Sequence, residues 1–109
     1  MKIYLAAPYT SDNEEEISFR IKEINLFAGH LMSLNYIIYS PLSMFHTIAK
    51  DNNFPISADF YSQQNEEFIK WCDYLFILCL PKWEKSKGIK EEIKMARKYS
   101  KGIIYIKIK

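Results

Sequence analysis

Seven consecutive apolar residues, Tyr74 to Leu80, end at Pro81. The run has no polar alternation, is too short for an independent helix, and reads as a strand buried on both faces, as a parallel sheet covered by helices requires. The rest of the chain must then supply covering layers and partner strands. Three further apolar runs can pair with it: "KIYLAA" from Lys2, halted by Pro8; "YIIYS" from Tyr36, closed by Pro41; and "IIYIKI" from Ile103.

The intervening segments have helical period. Ile17, Ile21, Ile24, Ala28 and Leu31 fall on one face, with Ser11 and Asp12 as N-cap candidates ahead of Glu14 and Glu15. "LSMFHTIAKDNNFPIS" from Leu42 reads as a short helix or turn running into a polar loop, and "DFYSQQNEEFIKWCD" from Asp59 as a further helix. "IKEEIKMARKYS" from Ile89 is the last, with Gly102 expected to end it. Strands alternating with helices predict one α/β domain over residues 1–109. Its sheet should be single, open, parallel and doubly wound, flavodoxin- or Rossmann-like, with about four strands and helices on both faces.

With 49% hydrophobic residues, a chain of 109 can build such a core without metal or disulfide staples. Its formal charge of +2 comes from lysines and acids mixed along the chain, which gives no nucleic-acid track. Cys72 and Cys79 lack metal-ligand spacing and read as buried thiols of a reducing compartment. The apolar start is short and turns acidic at once, and no segment is long enough to span a bilayer, so a cytoplasmic protein without a membrane partner is expected. No ligand cluster or dinucleotide fingerprint implies a metal or organic cofactor.

In such sheets ligands bind beyond the carboxyl ends of the strands, which singles out the loops "APYTSDN", "SPLSMFH" and "PKWEKSKG". Adjacent glutamates stand behind the last of these. At 100° per residue Glu92 falls within the apolar stripe of Ile89, Ile93, Ala96 and Tyr99, whereas Glu91 points toward Lys94 and Lys98 on the solvated face. Glu92 is also expected in the helix's first turn, where the dipole favours the ionised carboxylate. It is either a functional carboxylate or a helical acid bonded locally. Gly88 is a positive-φ turn residue or a point of close ligand approach. Ser86 is a plain N-cap or a donor to a phosphate oxygen.

With those residues in place, the chain resembles the nucleoside 2-deoxyribosyltransferase-like superfamily, which includes deoxynucleoside 5'-monophosphate N-glycosidases. "IYLAAPYT" is similar to the family's opening strand and loop, "YSPLSMFH" to its second strand and exit, and "CDYLFILCLPKWEKSKGIKEEIKMA" to its signature, in which a catalytic glutamate follows a serine or aspartate by six residues. The resemblance makes Glu92 the catalytic carboxylate and Tyr4 the tyrosine that orients it. Ser86 stands where monophosphate hydrolases carry a serine for the phosphate and nucleoside transferases an aspartate for the sugar hydroxyl.

The first loop lacks the family's glycine- and arginine-rich phosphate cradle, leaving Thr10, Ser11 and Arg20 to substitute. The aspartate that relatives place eight residues before the strand-opening aspartate, here Asp73, is replaced by Asn65, an amide that cannot donate a proton as an acid. Glu66, Asp59 or His46 are the candidates to compensate, His46 being equally readable as a satisfied loop residue. Tyr9 and Trp83 could stack on a base or cover the core. The resemblance thus implies cleavage of the N-glycosidic bond of a 2'-deoxynucleoside 5'-monophosphate. Its alternatives are a nucleoside 2-deoxyribosyltransferase and a non-catalytic nucleotide-binding domain. The partners implied are a small-molecule nucleotide or nucleoside and further copies of the chain in a homo-oligomer.

Overall fold

The computed structural model describes residues 1–55 and 58–107. Ile56 and Ser57 of the expected polar loop, and the last residue of the expected final strand, Ile108, lie outside them. The elements are β1 (Lys2–Ala6), α1 (Glu14–Ser33), β2 (Ile37–Tyr39), α2 (Pro41–Asn52), α3 (Ala58–Trp71), β3 (Tyr74–Cys79), a 3-10 turn (Trp83–Lys85), α4 (Lys87–Lys98) and β4 (Gly102–Lys107).

The four strands form one parallel sheet in the order β2-β1-β3-β4, as a doubly wound α/β fold requires. Register pairs Tyr4 with both Tyr39 and Leu75, and Ala6 with Ile77. Alternation along the strands then separates two cores. On one face Tyr4, Ala6, Tyr39, Leu75 and Ile77 pack with Phe45 of α2, Ile69 of α3, and Ile89 and Ala96 of α4. On the other, Leu5, Ala7, Leu78 and Leu80 meet Ile24 and Ala28 of α1. Each fully buried isoleucine or leucine contributes about 1.5–3 kcal/mol, so the β1–β3 centre is the anchor of the molecule.

Local chemistry moves several expected boundaries. Asn13, rather than Ser11 or Asp12, caps α1, its Oδ1 accepting from the Glu15 and Glu16 amides at 2.9 and 3.3 Å. Ser11 Oγ instead accepts from the Asn13 amide at 3.0 Å, so the chain enters the helix later. The segment after Pro41 is a full helix, with proline at its first position where no amide is needed.

Gly102 opens β4 and does not close α4; Ser100, at φ 56°, takes the left-handed turn. A different demand acts at 102: a Cβ there would clash with the ring of Tyr74, its register partner, unless that ring shifted. Cys72 is buried, Cys79 is half-buried, and neither is in a disulfide. No described helix is long and apolar enough to cross a membrane.

Candidate active site

β1 leads by way of α1 to β2 on one side, while β3 leads by way of α4 to β4 on the other. The sheet order therefore reverses between β1 and β3, and a crevice opens beyond their carboxyl ends. A cleft of about 520 Å³ occupies that place, walled by the exit loops of β1 and β3, by α2 and α3, and by the start of α4. Its volume lies within the range that encloses a small organic ligand.

Glu92 is on its wall and almost fully buried. The helical face argument placed it correctly: Ile89, Glu92 and Ala96 are the buried residues of α4, and Glu91 sits at the rim, 3.9 Å from Lys94. The expected position in the first turn is corrected. α4 begins at Lys87, two residues earlier than its apolar period indicated, which puts Glu92 in the second turn, beyond the reach of the unpaired amides. Burial instead dominates and pushes its carboxyl up from 4.5 to about 7, although the hydrogen bond from Tyr4 acts the other way. Tyr4 Oη donates to Glu92 Oε2 at 2.5 Å, from a ring wholly enclosed in β1. Burial and the adjacent carboxylate hold the Tyr4 phenol well above its ordinary range, so it remains a donor.

Ser86 caps α4, its Oγ accepting from the Ile89 amide at 3.3 Å, which leaves the hydroxyl hydrogen for a ligand. The amides of Lys87 and Gly88 belong to the first turn and have no acceptor within the helix. Gly88 lines the cleft without positive φ, so the turn reading is overturned. Lys82, Lys85 and Lys87 add positive charge to this end, tempered by Glu16, 3.2 Å from Lys82, and Asp59, 3.4 Å from Lys87.

Arg20 is buried rather than free to clasp an anion. It donates to the Thr10 carbonyl at 3.0 Å and the Pro81 carbonyl at 3.3 Å, and it faces Glu16 at 3.4 Å. One guanidinium thus ties the exit loops of β1 and β3 to α1.

Tyr9, Thr10 and Asn65 line the same cleft. Gln64 Nε2 donates to Tyr39 Oη at 3.3 Å, and that hydroxyl donates to Asn65 Oδ1 at 3.4 Å. Tyr9 Oη and His46 Nδ1 are 2.8 Å apart, but His46 faces a neighbouring cavity of about 510 Å³ between α1 and α2, of which Tyr9 is the shared wall. Trp83 is not at the mouth: its ring packs 5.5 Å from Tyr105, with the Lys107 ammonium 5.1 Å above it. Glu66 is turned away as well, accepting from Tyr99 Oη at 2.5 Å, a bond that lowers its pKa. Among the described residues no group of three His, Cys, Asp or Glu could hold a metal ion.

The aromatic wall was missed. Phe45 of α2 and Tyr61 of α3 stack at 4.5 Å and 14° on the cleft side. Each reads singly as a core position, and only the packing of α2 against α3 brings them together.

A family model described as a domain of unknown function, DUF1937, matches residues 1–107, and the chain belongs to that family. No curated protein matches the sequence.

Proposed function

We propose that this DUF1937 member cleaves the N-glycosidic bond of a 2'-deoxynucleoside 5'-monophosphate, with Glu92 as the nucleophile. One observation carries the reading: a buried carboxylate on the wall of the switch-point cleft, pushed by burial up to about 7, is held by a single phenolic donor and has no cation paired with it among the described residues. Tyr4 occupies Oε2 and leaves Oε1 to bond C1' as the base departs through an oxocarbenium-like transition state. Water then cleaves the glycosyl ester, its oxygen passing to C1' and the carboxylate of Glu92 being restored.

The Ser86 hydroxyl, the first amides of α4 and the three neighbouring lysines support a phosphate at the other end of the substrate. The stacked Phe45 and Tyr61 supply an apolar wall for the base. We place this chemistry in the cytoplasm and in a homo-oligomer. The exposed Phe19 and Leu26, on one stripe of α1, support a contact between copies. Light scattering should give a multiple of 13.0 kDa, and a monomer at assay concentration would remove the oligomer.

The deciding test follows free-base release from deoxynucleosides and their 5'-monophosphates by chromatography. Release is expected to require the 5'-phosphate, to vanish in Glu92→Ala and to survive in Glu91→Ala. Base release only when a second base is supplied would make the protein a transferase. Nucleotide binding without release from any substrate would make it a binding domain.

A further inference from the structure

Tyr4 and Tyr39 are register partners on adjacent strands, their rings 5.3 Å apart. Tyr4 holds Glu92. Tyr39 does the equivalent for Asn65, and the direction of its bond is fixed by its other neighbour. Gln64 donates to the Tyr39 oxygen, so the single phenolic hydrogen goes to Asn65 Oδ1. With Oδ1 engaged by Tyr39, the Asn65 amide has its N–H donors left for a ligand in the cleft it lines.

We infer that Tyr39 positions Asn65 with its N–H donors toward the departing base, so that the protein releases bases that leave unprotonated with charge on a carbonyl oxygen, the 2-oxopyrimidines, in preference to purines. The inference rests on the glycosidic reading above. When the C–N bond breaks, its electron pair goes to the base nitrogen. In a 2-oxopyrimidine that charge spreads to the adjacent oxygen, where the Asn65 N–H groups can meet it, and solvent protonates the base after release.

A purine has no carbonyl beside the departing nitrogen and depends on a proton delivered to its ring. The other titratable groups around the cleft have partners of their own: Tyr9 pairs with His46, Glu91 with Lys94 and Asp59 with Lys87. Bonds to Ser11 and Lys82 hold Glu16 below the usual carboxylate range, Glu66 is turned to Tyr99 and Lys98, and the Tyr61 hydroxyl donates to the Pro55 carbonyl at 3.1 Å. The lysines belong to the β3–α4 loop and the first turn of α4, with Ser86.

The test compares kcat/KM for release of uracil, thymine, adenine and hypoxanthine from their deoxynucleoside 5'-monophosphates by the full chain. The pyrimidines should lead by about 10²-fold or more, the factor a general acid supplies where one exists. Asn65→Asp should raise purine release, increasingly as pH falls, while lowering uracil release. Tyr39→Phe should cut uracil release about tenfold, the worth of one hydrogen bond, and cut the slow purine reaction by less.

Glu92-dependent release of adenine as fast as uracil overturns the inference and leaves the glycosidic reading intact. An equal loss on all bases in Tyr39→Phe overturns the positioning role. Absence of release from every nucleotide overturns the glycosidic reading and this inference with it. Thermal melts of both variants at assay pH establish that the comparison is made on folded protein.

Discussion

Taking a carboxylate out of water costs more than one phenolic hydrogen bond returns, which is why the Glu92 carboxyl is pushed up from 4.5 to about 7. The consequence for stability has a definite sign. Between those two values the unfolded chain has released the Glu92 proton while the folded chain keeps it, so this group's contribution is complete below 4.5 and is lost as pH rises through about 7. The total is on the order of 3 kcal/mol. Urea unfolding of Glu92→Gln should therefore show the variant gaining on wild type by that order between pH 4 and pH 8, and a pH-independent difference would contradict the burial account. Base release should run the other way in the proposed reaction, rising as the carboxylate ionises. The sequence was enough to choose Glu92 over Glu91, because helical geometry alone separates their faces. It was not enough for the ionisation state: α4 starts two residues earlier than its apolar stripe, and that displacement exchanges a dipole argument for a desolvation one.

Elements were legible where apolar period defined them and illegible where one side chain decides an end. β3 could be read directly from its unbroken run, and the stripe of α1 from its spacing. The ends depended on contacts no local pattern contains: Asn13 in place of Ser11 or Asp12, and Ser100 in place of Gly102. Gly102 shows the difference most clearly, since its hydrogen side chain answers to the Tyr74 ring across the β3–β4 ladder and not to a helix end. Gly102→Ala should lower stability by about 1–3 kcal/mol, the usual cost of overpacking. Adding Tyr74→Ala should return part of that loss in a double-mutant cycle. Strict additivity of the two changes would show that strand conformation, and not the ring, demands the glycine.

For the molecule as a whole, the strand order β2-β1-β3-β4 sets the place of the cleft, because the winding of the connections reverses between β1 and β3 and opens the sheet's edge there. What the order could not supply was the inventory of that opening. Trp83 and Tyr9 are both loop aromatics in the sequence, yet one packs under β4 and the other walls the cleft. A net charge of only +2 likewise conceals the local gathering of Lys82, Lys85 and Lys87 beside Ser86. Such exposed charges are screened within about 8 Å at physiological ionic strength. The proposed preference for a 5'-monophosphate over its nucleoside, measured as a ratio of KM values, should accordingly shrink as salt rises, whereas a salt-independent ratio would assign the phosphate to the Ser86 hydroxyl and the helix amides alone.

The bond between Tyr4 and Glu92 joins residues 88 positions apart. During synthesis β1 leaves the ribosome long before α4 exists, and for that interval its tyrosine has a hydroxyl destined for an interior that has not been built. The bond forms only when α4 docks onto the sheet. A chain interrupted before α4 has neither the carboxylate nor the wall that carries it, so it cannot make this contact. The same contact that would orient a nucleophile also records that α4 has docked onto the sheet.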